Sequence, residues 1–103
     1  MMSDAELRDS WPDLGIVVAE LRATNRAELA DRLIGKVLYA STSGEIYNGV
    51  GNVLFEQRAL RQTLSLEGSA AWDRVMDRIE RIYGGINLGH WFARQWRKFW
   101  RTQ

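Results

Sequence analysis

Apolar residues along this chain recur at spacings of three and four rather than two, the period of helices with one buried face. The pattern is clear after Pro12, where Leu14, Val17, Val18 and Leu21 fall at i, i+3, i+4 and i+7. The valines would also suit a strand, but the period favours a helix from Pro12 to about Ala23. Proline supports that start, because its missing N–H does no harm in a first helical turn while its ring disfavours a helical Trp11. Upstream, Ser3-Asp4-Ala5-Glu6 has the capping-box form, in which a hydroxyl takes an orphan N–H and a glutamate follows three residues later. A short helix is therefore expected before Trp11.

Asn25-Arg26-Ala27-Glu28 repeats the capping signature, and Leu29, Ala30, Leu33, Ile34, Val37 and Ala40 then share one arc opposite Glu28, Asp31 and Arg32. Ser41-Thr42-Ser43-Gly44 predicts a turn, with Thr42 and Glu45 as a third capping pair. The longest helix is expected over about residues 43–64, with Ile46, Val50, Val53, Leu54, Leu60 and Leu64 facing inward and Gln57 intruding on that arc. Gly49 and Gly51 lie inside it, each costing about 1 kcal/mol of helix propensity relative to alanine. Close approach of a neighbouring helix is the expected reason. Residues 65–69 predict a loop, and Trp72, Val75, Met76, Ile79, Ile82 and Tyr83 form a stripe that stops at Gly84-Gly85, a helix-stop signal.

Residues 86–89 connect to a last stretch, His90-Trp91-Phe92-Ala93-Arg94-Gln95-Trp96-Arg97-Lys98-Phe99-Trp100-Arg101. Wound as a helix at about 100° per residue, it puts Trp91, Phe92, Trp96, Phe99 and Trp100 on one half and Arg94, Arg97, Lys98 and Arg101 on the other. Taken together, the patterns predict an all-α single domain over residues 1–103. It is a small compact bundle of four to five helices, divided into a helical body (1–85) and an amphipathic cationic C-terminal helix (86–103).

Charge sharpens that division. The formal net charge is only +1, yet all 13 acidic residues lie at or before Glu80. Residues 1–85 carry 10 Lys and Arg against those 13, a net of −3, and the remaining 4 basic residues make residues 86–103 +4. Composition adds less. An apolar fraction of 46% and a charged fraction of 26% are those of a globular protein with a core. With no cysteine, disulfides, thiolate metal sites and cysteine nucleophiles are excluded, which suits a reducing compartment. The N-terminal residues lack a basic segment followed by an apolar one, and no aliphatic run approaches the roughly 20 residues of a membrane span. A cytoplasmic location is the expectation.

Residues able to do chemistry are sparse. His90 is the only histidine, and beside aromatics it is expected to be structural rather than catalytic. Asp73, Asp77 and Glu80 share a helix face, as carboxylates do around a divalent ion. Arg74, Arg78 and Arg81 run beside them and Asp77 precedes Arg81 by four residues, so a solvated, salt-bridged face is expected instead. Gly49-Val50-Gly51 lacks the third glycine and the preceding strand of a dinucleotide fingerprint. Ser41-Thr42-Ser43-Gly44 has the residues of a phosphate cradle at a helix N-terminus, but they are equally ordinary capping and turn formers, and a cap and turn is the expectation. No metal, cofactor, small-molecule substrate or enzymatic activity is expected.

The terminal stretch remains. Its rings can pack into the bundle, serve a protein partner, sit in a membrane interface or stack on single-stranded nucleic acid. Burial in the bundle has first claim, because each aromatic buried yields about 1.5–3 kcal/mol. Among functions, a protein–protein interaction module is expected, contacting a partner or a second copy as a homodimer through Trp91, Arg94, Trp96, Arg97, Lys98, Trp100 and Arg101. A membrane-surface or nucleic-acid contact through the same residues is the alternative. By analogy of size, a small bacterial accessory protein of antitoxin or immunity type fits. Tyr47 and Phe55, exposed by pattern, are candidates for a second interface.

Overall fold

The computed structural model describes residues 2–83 and surrounds the Pro12–Ala23 segment with other helices. That segment, α2 (Pro12–Ala23), packs against α1 (Asp4–Ser10), α3 (Ala27–Leu38) and α5 (Leu66–Tyr83). Helix α4 (Ser43–Glu56) lies on α3 and meets α5, and a 3-10 helix (Arg58–Thr63) leads from α4 into α5. The protein is all-α, and no strand occurs among the described residues. No helix among them is long and apolar enough to cross a membrane. Residues 84–103, including the Gly84-Gly85 stop and the cationic segment, lie outside the described residues.

Burial follows the periodicity closely. Leu14, Val17, Val18 and Leu21 of α2 are fully buried, as are Leu33 of α3, Val50 and Leu54 of α4, and Trp72 and Val75 of α5. The apolar stripe of α3 is sharply one-sided, whereas α2, enclosed by three helices, buries Gly15 as well as its apolar stripe. No polar or charged residue is buried among the described residues, so the core is held by apolar packing alone.

Two of the three capping signatures work as expected. The Ser3 hydroxyl accepts from the Glu6 N–H at 3.1 Å, and the Thr42 hydroxyl accepts from the Glu45 N–H at 3.2 Å. The third signature is used differently. Asn25 does not cap α3, whose N-cap is Arg26 without a side-chain bond. It closes α2 instead, with φ 64°, the Arg26 N–H bonding Leu21 O at 2.8 Å and the Asn25 N–H bonding Arg22 O at 3.4 Å. This is a Schellman closure with asparagine in the left-handed position. Asparagine suits both jobs, and here the three-residue link Thr24–Arg26 between α2 and α3 uses it for the first.

The helix expected over residues 43–64 divides at Gln57. After Val53 and Leu54, the next inward positions hold Gln57 and Arg58, so no apolar side chain draws another α-turn onto the core. The chain tightens into the 3-10 helix, with the Arg58 guanidinium donating to Phe55 O at 2.9 Å. Residues 66–69, expected in a loop, form the first turn of α5, which at 18 residues is the longest helix described. Ser65 begins it, its hydroxyl accepting from the Gly68 N–H at 3.1 Å. The Glu20 carboxylate of α2 reaches over this start, accepting from the Ser65 N–H at 3.0 Å and from the Ser65 hydroxyl.

Close approach explains two glycines. A Cβ at Gly49 would lie 3.0–3.3 Å from the aliphatic stem of Lys36, so α3 crosses α4 there as expected. Gly15, inside α2, is tighter: a Cβ would lie 2.7 Å from the Arg8 Cα of α1. Backbone cannot swing aside as a side-chain tip can. We predict that Gly15→Ala destabilises the protein in chemical denaturation by about 1–3 kcal/mol, outweighing the helix propensity it adds. Gly35→Ala is the matched control, since its Cβ would meet only the Tyr39 ring at 3.9 Å and should stabilise by up to about 1 kcal/mol. Equal effects from the two would sink the close-approach explanation. At Asn25, replacement by glycine should be nearly neutral, whereas valine should cost about 1–2 kcal/mol in the same assay.

Candidate functional site

Trp91, Arg94, Trp96, Arg97, Lys98, Trp100 and Arg101 all lie outside the described residues, and so does His90. The surfaces of the body can be built from its sequence upward. They fall into three groups: an ion-paired face on α5, an aromatic cluster at the α1–α2 junction, and a trough between α3 and α4.

On α5 the carboxylates do not converge. Asp73 faces the 3-10 helix, where its two oxygens accept from Arg61 Nε at 2.7 Å and Arg61 Nη2 at 2.8 Å. This two-pronged pair is the best-formed ion pair described, with both side chains less than a quarter exposed. Arg74 donates to Asp13 of α2 at 2.8 Å. Asp77 and Arg81 make no ion pair with each other; the ion pairs that α5 does make, through Asp73 and Arg74, run to other elements. The reason is spacing: partners on a neighbouring helix offer less mobile, less solvated geometry than partners on one exposed face. No grouping of three metal-ligating side chains occurs among the described residues.

Burial pushes the Asp73 carboxyl above the usual aspartate value, while the Arg61 hydrogen bonds and charge pull it back. Arg22 lies between Asp4 at 2.6 Å and Asp31 at 2.8 Å. Its hydrogen bonds to Asp4 and then Asp31 raise its pKa further, so it stays a cation that ties α1, α2 and α3 together.

Trp11 sits where α1 gives way to α2, 6% exposed, with the Tyr47 ring edge-on at 5.3 Å between centroids. The Arg78 guanidinium lies 5.2 Å from the Trp11 ring centre and 5.7 Å from that of Tyr47. The Trp11 Nε1 is buried and has no acceptor among the described residues. Tyr47 and Phe55 are half-buried rather than exposed, packed against the core, with Arg58 stacked 4.5 Å from the Phe55 ring centre. That corrects the exposure their sequence pattern suggests. Three elements far apart in sequence meet at Trp11, and no local pattern announces such a meeting.

The start of α4 is satisfied from within. Thr42 takes one N–H, and the Glu45 carboxylate takes the Ser41 N–H at 2.8 Å. A phosphate there would meet a carboxylate, so Ser41–Gly44 acts as a cap and turn. Between α3 and α4 runs a shallow trough lined by Arg32, Lys36, Tyr39, Glu45, Asn48 and Asn52, with Tyr39 79% exposed. A second depression, holding Asn25, Arg26 and Gln57, continues it past Arg32. Gln57 therefore sits at the rim of the core rather than inside it.

With this geometry in view, comparison of the chain with protein-family models, curated proteins and solved structures gives no match.

The Asp73 environment yields a signed pH dependence. A folded pKa above the unfolded one means that the folded state holds the proton more tightly, so this group's contribution is fully present below the ordinary aspartate range and is lost as pH rises through the folded value. The stability difference between wild type and Asp73→Asn should shift against wild type as pH rises across that window, measured by urea denaturation at a series of acidic pH values. A shift in wild type's favour would mean that the Arg61 pair, not burial, governs the group.

Proposed function

We propose that the protein is a non-enzymatic protein-binding module in which the helical body carries residues 86–103 as a final amphipathic, cationic helix. The observation that carries the proposal is the segregation in the sequence: residues 86–103 hold 3 of the 5 tryptophans, 4 basic residues and no acidic one, against a net of −3 in residues 1–85. Trp and Arg are the side chains that concentrate binding energy at protein interfaces, and here they alternate on opposite halves of one short segment. The occupant that fits is a protein surface with an apolar cleft for Trp96 and Trp100 and an acidic rim for Arg94, Arg97, Lys98 and Arg101, with Trp91 at the near end. A second copy of the acidic body meets the charge requirement, so a homodimer is the first partner to test. A role of antitoxin or immunity type and a cytoplasmic site of action are consistent with this proposal and rest on analogy alone.

The same cationic, acid-free composition favours one second reading, contact with an anionic membrane surface or nucleic acid. The experiment separates them. Sedimentation equilibrium of the full chain tests self-association directly, and capture followed by quantitative binding tests an external partner. Trp96→Ala with Trp100→Ala should weaken either association at least about thirtyfold, the effect of losing a binding hot spot of about 2 kcal/mol or more. Circular dichroism must show the same helical content in the variant. Association unchanged by the double substitution, or binding only to anionic vesicles or oligonucleotides with a steep salt dependence, would overturn the protein-partner proposal.

Deletion of residues 87–103 supplies a second prediction. The remaining body should keep its cooperative unfolding and lose binding. If it melts or aggregates instead, the terminal segment is core, and its aromatic residues act in folding rather than recognition.

A further inference from the structure

We draw no further inference here: the strongest candidate, the shallow trough between α3 and α4 lined by Arg32, Lys36, Tyr39, Glu45, Asn48 and Asn52, carries side chains of both charge signs, and nothing in the structure shows what covers it.

Discussion

The enclosure of α2 is the constraint on which the described structure depends. Four of its aliphatic side chains are completely withdrawn from water, each worth about 1.5–3 kcal/mol. That enclosure requires α1, α3 and α5 to approach the same short cylinder from different sides. A helix of 12 residues has little room for three neighbours unless one comes very close, and Gly15 is where α1 does so. The cost in helix propensity at Gly15 is about 1 kcal/mol, small beside what the approach buries. Trp11 and Pro12 belong to the same arrangement: the bend between them turns α1 back along α2 and places the Trp11 ring under α4 and α5.

Charged side chains do a different job. Exposed pairs contribute about 0–1 kcal/mol each, too little to decide the fold against the core. Their placement is informative nonetheless. Arg22 joins α1 to α3, Arg74 joins α5 to α2, Arg61 joins the 3-10 helix to α5, and Glu20 joins α2 to the start of α5. Each links side chains of different elements across the surface of the bundle. Such contacts select among arrangements of nearly equal burial, a matter of register rather than total stability.

How much of this was readable in the sequence varied with the range of the interaction involved. Helix α2 was legible to the residue, since Pro12 and the 3.6-residue period act within a few positions. The core of α3 was legible for the same reason. Asn25 was ambiguous because one residue type serves both ends of helices, and only the shortness of the α2–α3 link decides between them. Gln57 intrudes on the apolar arc of a longer predicted helix, and a polar residue where an apolar one is due is itself a stop signal when Arg58 follows it. Least legible were the contacts between distant residues: the Arg61–Asp73 pair, the Glu20 cap over Ser65, and Arg78 above Trp11 and Tyr47. Asp77 and Arg81 share a helix face yet form no ion pair with each other, since spacing permits a contact without compelling two exposed side chains to make it.

Residues 86–103 pose an electrostatic problem that follows from the sequence itself. A segment of charge +4 is covalently joined to a body of charge −3, so an acidic surface is always present at the high effective concentration that a short connector imposes. Any external anionic partner must therefore compete with the body's own carboxylates. Coulomb attraction alone gives such a partner little advantage, and at physiological ionic strength it is screened over about 8 Å. If the segment binds as proposed, discrimination would come from the aromatic half, whose burial does not weaken as salt rises and demands a shaped apolar surface. Trp11 and Trp72, the two tryptophans of the body, are both buried. On the proposed reading, the arginines would govern how readily the segment meets an acidic surface, while Trp91, Trp96 and Trp100 would govern which surface retains it.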